Sequence, residues 1–89
     1  MKTSENRLWF RSQMVEHEAA LMRYAARITG DENRARDVVQ ETFLRLFRQE
    51  REAVEAHVLQ WLFTVCRNRA LDVLRKEGRM TTTDETGFA

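Results

Sequence analysis

Few residues in this chain of 89 can carry covalent or metal chemistry. His17, His57 and Cys66 are its only histidines and its only cysteine. The two histidines lie in separate segments, and neither has a cysteine or carboxylate at a recognised metal-ligand spacing. Cys66 falls on the apolar side of a helical pattern, where a small buried hydrophobe is the expected role rather than a reactive thiol. No phosphate-binding loop, nucleophile elbow or HExxH pattern occurs. The carboxylates are plentiful but read as solvated. An enzyme is not expected, nor is a metal or cofactor.

Recognition chemistry is better represented. On a helical wheel of roughly 100° per residue, Trp61, Thr64, Asn68, Leu71 and Arg75 line up at spacings of three and four, bordered by Arg67, Asp72 and Arg79. An indole can stack on an unpaired base, hydroxyl and amide groups can hydrogen-bond base edges, and Arg and Lys can hold phosphates. A plainer reading also stands: Trp61 packs under the preceding loop, while Arg75, Lys76 and Arg79 complement a helix C-terminus. A second strip lies on the stretch from Asp37 to Arg48. Ala35, Val39, Thr42 and Leu46 fall together as a core stripe flanked by Val38 and Phe43. Leu44 falls opposite, among Asp37, Gln40, Glu41 and Arg48. That frame suits a protein contact. A solvated charged face with one exposed Leu fits equally well.

The elements that must position these strips are helices. Proline is absent, glycine occurs three times, and no stretch alternates with period two. With 43% hydrophobic residues the length suits one small domain with a core. The expected fold is all-α: a compact bundle of three long helices, with a turn or short helix at about 50–57. The first helix runs from about Glu5 to Thr29 on Phe10, Met14, Leu21, Ala25 and Ile28, with Thr3 or Ser4 as its cap and Trp9 partly buried beside the stripe. Gly30 then Asp31 supplies a left-handed stop and an N-cap, predicting an antiparallel hairpin. The second helix runs from about Glu32 to Gln49. The third runs from about Ala56 to Glu77, buries Val58, Leu59, Leu62, Cys66, Ala70 and Val73, and stops at Gly78. Residues 80–89 have loop composition and are expected to be mobile.

The formal net charge of +1 excludes nothing. Its distribution is more informative: residues 58–80 carry a net +3 and residues 31–57 a net −2. A polyanion would sit at the basic end. The single cysteine suits a reducing compartment, and no signal peptide or membrane-spanning run is visible, so a cytoplasmic location without membrane insertion is expected.

Both strips resemble a known family. The run Ala35-Arg-Asp-Val-Val-Gln-Glu-Thr-Phe-Leu-Arg-Leu-Phe-Arg48 is similar to the core helix of bacterial sigma factors of the extracytoplasmic-function (ECF) group. Trp61-Leu-Phe-Thr-Val-Cys-Arg-Asn-Arg-Ala-Leu-Asp-Val-Leu-Arg75 is similar to their promoter-reading helix, and Leu21–Asp31 resembles their first helix and turn. The resemblance covers roughly Phe10 to Arg79. It implies a sigma factor region 2 domain over 1–79, with 80–89 as the start of an interdomain linker. Such a domain docks on the clamp helices of the beta-prime subunit of RNA polymerase and captures the melted −10 promoter element as single-stranded non-template DNA.

By motif position, the beta-prime contacts are Asp37, Gln40, Glu41, Leu44 and Arg48. Trp61 stands at the edge of melted DNA, with Thr64, Asn68 and Arg75 on the DNA-facing side, and the basic residues beside that strip, Arg67, Lys76 and Arg79, complete the expected DNA set. The turn at 50–57 matches a loop that receives a flipped-out base. Leu62 follows Trp61 where primary sigma factors have a richer aromatic set, which argues against a housekeeping role. The family's −35-reading domain is not included, so this chain alone is not expected to direct transcription. Two alternatives remain from the sequence: an interaction module held by an anti-sigma factor, and an ordinary three-helix DNA-binding domain.

Overall fold

A computed structural model describes residues 4–76. Helix α1 is Ser4–Thr29, α2 is Glu32–Phe47, α3 is the single turn Arg51–Val54, and α4 is Val58–Lys76, preceded by a 3-10 turn at Glu55–His57. Helices α1, α2 and α4 pack pairwise into one bundle. The described residues contain no strand. Expectations placed on Thr3, Gly78, Arg79 and the 80–89 segment lie outside the described residues. Ser4 is the first residue of α1 rather than a cap outside it.

The α1–α2 reversal follows from local chemistry. Gly30 takes φ 71°, a left-handed value without cost for a residue lacking Cβ. Its N–H donates to the Ala26 carbonyl at 2.8 Å, closing α1. Asp31 is extended and its Oδ1 accepts from the N–H groups of Asn33 (2.7 Å) and Arg34 (3.2 Å), satisfying donors that the first turn of α2 leaves free. Its Oδ2 takes an ion pair from Arg34 at 2.7 Å. These bonds, the Arg34 N–H first among them, hold the Asp31 carboxyl below its ordinary pKa.

The core is continuous. Phe10, Leu21, Val38, Leu46, Val54 and Leu62 are its large members, each almost or wholly without exposed surface, and Ala25, Ala35, Cys66 and Ala70 let the helices approach. Phe10 meets Phe47 edge to face at 5.9 Å, and Tyr24 meets Phe63 in the same way at 5.0 Å. Thr42 is fully buried, and its hydroxyl is satisfied by donating to the Val38 carbonyl at 2.8 Å. Gln13 and Thr29 are further buried polar residues that the apolar pattern of α1 did not mark.

Helix α2 ends at Phe47, two residues before the expected Gln49. The Arg48 and Gln49 N–H groups bond back to Arg45 and Leu46, tightening the last turn. The 50–57 segment is a short helix plus a 3-10 turn, anchored by buried Val54. Helix α4 begins at Val58 rather than Ala56. Leu59, expected in the core, is 48% exposed. A wheel assigns direction but not cover, and in this first turn Val58 is the apolar residue that reaches the core.

Two measurements check this account. Leu46→Ala should lower unfolding free energy in urea by about 2–5 kcal/mol, whereas Leu44→Ala should change it by less than about 0.5 kcal/mol. Asp31 is a group with a depressed folded pKa, so its stabilisation is present above the unfolded value and lost as pH falls through the folded one. Stability of the parent should therefore fall more steeply below about pH 4 than that of Asp31→Ala, as read by thermal melts across pH.

Candidate nucleic-acid interface and partner strip

The packing of α2 fixes which residues face outward. Its buried side takes Ala35, Val38, Val39, Thr42, Phe43 and Leu46. Asp37, Gln40, Leu44 and Arg48 are consequently exposed and Glu41 half-exposed, along one line of the helix. Leu44 stands in the middle of that line with 49% of its surface exposed. Glu41 accepts from Arg45 Nε at 3.1 Å, an exposed pair four residues apart that is worth little and is easily exchanged for another partner. Phe47, one turn beyond Leu44's neighbour Phe43, is 37% exposed and extends the apolar part of the strip. Met14 and Glu18 of α1 join Gln40, Leu44 and Phe47 around a shallow hollow of about 300 Å³.

On α4 the outward line is partly as expected. Thr64, Asn68, Arg67, Arg75 and Lys76 are exposed. Trp61 and Leu71 are half-buried instead, and Trp61 packs against the core cluster, leaving part of its indole available. Phe63 packs inward against Tyr24. The basic end of the helix is organised around one carboxylate. Asp72 pairs with Arg69 at 3.0 Å, Lys76 at 3.3 Å and Arg75 at 3.6 Å. The hydrogen bond from Lys76 is the largest cause that holds the Asp72 carboxyl below its ordinary pKa, with the three cations adding to it. Arg67 makes no ion pair among the described residues. Charge on this surface is thus positive in sum but tethered near Asp72.

Cys66 is fully buried, its Sγ 4.0 Å from the Leu21 carbonyl, and burial pushes the thiol up to about 11. It is protonated and inert at neutral pH, a packing residue. His17 is half-buried on α1, and His57 is exposed in the 3-10 turn.

The sequence reading missed Arg51. Its guanidinium lies over the Trp9 ring at 5.0 Å, bonds Asn6 Oδ1 at 3.3 Å and pairs with Glu55 at 3.0 Å. It ties the α2–α4 connection to the start of α1. Trp9 and Asn6 are far from Arg51 in sequence, so no local pattern points to them, whereas Glu55 is an ordinary partner four residues on. Arg51 Nε is left buried without an acceptor.

A family model described as sigma-70 region 2 matches residues 14–80. The ECF RNA polymerase sigma factor SigL of Mycobacterium tuberculosis is 42% identical over 77 residues, covering 81% of this chain and 44% of the relative. SigE of Mycolicibacterium smegmatis is 34% identical over 65 residues (73% of this chain, 25% of the relative). SigM of Bacillus subtilis is 35% identical over 60 residues (67% and 37%). The chain thus spans less than half the length of these relatives. No solved structure matches it with significance. No helix among the described residues is long and apolar enough to cross a membrane. The matched stretch takes in all of α2 and α4 with both of their outward strips, and the chain belongs to the sigma-70 region 2 family, in its ECF branch.

Proposed function

We propose that this domain recognises promoters for RNA polymerase, docking on the beta-prime clamp helices through α2 and capturing the melted −10 element on α4. The docking residues are Asp37, Gln40, Glu41, Leu44 and Arg48. The strand-facing residues are Trp61, Thr64, Arg67, Asn68, Arg75 and Lys76, with Arg79 beyond the described part. The observation that carries the reading is Leu44: on a helix whose other face is fully packed, it is held outward in the middle of acidic, amide and basic groups.

A helical partner laid along α2 would bury the Leu44 side chain and satisfy Gln40, Glu41 and Arg48 at the rim, the usual anatomy of a protein interface. The Glu41–Arg45 pair costs little to rearrange. On α4, the exposed part of Trp61 offers a stacking face, and Thr64 and Asn68 offer hydrogen-bonding groups one turn apart. Stacking contributes about 1–3 kcal/mol per base. Few phosphates can be neutralised by a surface whose cations are shared with Asp72, so binding of duplex DNA by the domain alone should be weak and salt-sensitive. Polymerase would present the opened strand.

Calorimetry with a purified beta-prime clamp-helix fragment tests the docking half. Binding should be measurable for the parent and lost in Glu41→Arg. An unchanged affinity in that variant would sink the assignment of the strip. The strand half has its own readout. Asp72→Asn removes the carboxylate that gathers Arg69, Arg75 and Lys76, so affinity for a single-stranded −10 oligonucleotide should rise and its salt dependence steepen. No change in either would place the DNA elsewhere.

A further inference from the structure

Ion pairs gather Arg69, Arg75 and Lys76 around Asp72 and give Arg34, Arg45 and Arg51 a carboxylate each. Three arginines at the α1–α4 seam stay outside this network. Arg23 and Arg27 of α1 and Arg67 of α4 are exposed, and none makes an ion pair within the described residues. They surround one contact. Tyr24 meets Phe63 edge to face at 5.0 Å, and both residues are half-buried. On α1, Leu21, Ala25 and Ile28 take the core side of Tyr24, so Arg23 and Arg27 fall on its solvent side. On α4, Leu62, Cys66 and Ala70 take the core side of Phe63, and Arg67, one turn on, falls on its solvent side. Arg67 in turn stands three residues from Thr64, so the three cations continue the outward line of α4 across the seam onto α1.

No carboxylate relieves this charge. No Asp or Glu stands three or four residues from Arg23 or Arg67 on its helix. Asp31 follows Arg27 by four, but it lies past the Gly30 turn and is taken by Arg34. Arg23 and Arg27 are themselves four apart, a like-charge spacing that costs the free helix stability. The helix dipole accounts for Arg27 in the last turn of α1, not for Arg23 more than a turn from the end. We propose that Arg23 and Arg27 of α1, with Arg67 between them and the α4 strip, bind the phosphate backbone of single-stranded DNA, so that the strand held on α4 continues across the seam. The proposal rests on the reading of α4 given above and adds α1 to the DNA surface. Guanidinium groups take phosphate oxygens two at a time. Arg23 and Arg27 stand about 6 Å apart at Cβ, a step that successive phosphates of an extended strand can follow. The cations near Asp72 are already shared with a carboxylate, whereas these three are free to replace counterions.

Fluorescence anisotropy of the 89-residue chain with a −10 oligonucleotide, extended by about six nucleotides at each end, tests it across a salt series. The double variant Arg23→Gln/Arg27→Gln should lower the slope of log K against log salt by about 1.4, the share of two phosphates on a single strand, and Arg67→Gln by about 0.7. For the double variant that slope corresponds to a loss of about tenfold or more at ~50 mM salt. The loss should be equal on a scrambled oligonucleotide, because phosphate contacts carry no sequence information. Arg23→Lys/Arg27→Lys should restore the slope. All three side chains are exposed, so circular dichroism and thermal melting should show the same fold. Asn68→Ala separates the two readings. If it weakens the base preference while Arg23→Gln/Arg27→Gln leaves the slope intact, the α1 site is overturned, the α4 reading stands, and the arginines are left to an acidic protein partner. If the slope falls but Asn68→Ala is silent, the α1 site is upheld and the α4 strip is lost. A parent chain that binds no single strand at any salt overturns both.

Discussion

Three consecutive residues, Thr29, Gly30 and Asp31, fix the bundle's geometry. The Thr29 hydroxyl is buried, lies 2.9 Å from the Ala25 carbonyl as its acceptor, and takes the Asp31 N–H at 3.3 Å. Gly30 turns the chain through the left-handed region, and Asp31 opens the next helix. Each step leaves little rotational freedom to its successor. The angular phase of α2 relative to α1 is thus restricted by the connection itself, in addition to the core side chains that the two helices share. A change of phase by one residue would rotate α2 by about 100° and move Leu44 from its outward line towards the α1 contact.

Once the phase is set, core and surface are two sides of one decision. Val38, Val39, Thr42, Phe43 and Leu46 go inward, and what remains of α2 is a polar line interrupted by Leu44. Helix α4 repeats the division with Leu62, Cys66 and Ala70 inward and Thr64 and Asn68 outward. Buried polar atoms do not disturb it, because Thr42 closes on its own helix at Val38. The proposed contact residues hold no special conformation: they are the remainder left by efficient packing, and their spacing is the helical repeat itself.

That dependence on the repeat explains what could be read in the sequence. Helix α2 has a stop signal before it, a strong capping residue and a clear apolar stripe, so its existence, its start and both faces were legible. The third long helix was legible in the same way, with Cys66 inside and Asn68 outside. A wheel ranks directions within one helix and knows nothing of its neighbours. It therefore placed Leu59 inside, although it is about half exposed, and put Trp61 on the outward line, although the core reaches it. The Arg51 contacts with Trp9 and Asn6 were beyond any local pattern, since Arg51 and Asn6 are 45 positions apart. Charge counting found the basic end of α4 but not its organisation around Asp72, which depends on three side-chain geometries.

The way Arg51 secures the α2–α4 connection has a consequence for how the fold opens. Helix α3 is one turn long, its cap residue Glu50 supplies no side-chain bond, and buried Val54 is its hold on the core. A cation over a partly buried indole is worth about 0.5–2 kcal/mol, far less than the cooperative unit formed by the three long helices. The α3 amides should thus exchange with solvent by a local opening that leaves the bundle closed. Arg51, with its unsatisfied Nε, makes that opening cheaper still. The molecule carries one segment that can be remodelled at low energy, placed between two helices that cannot.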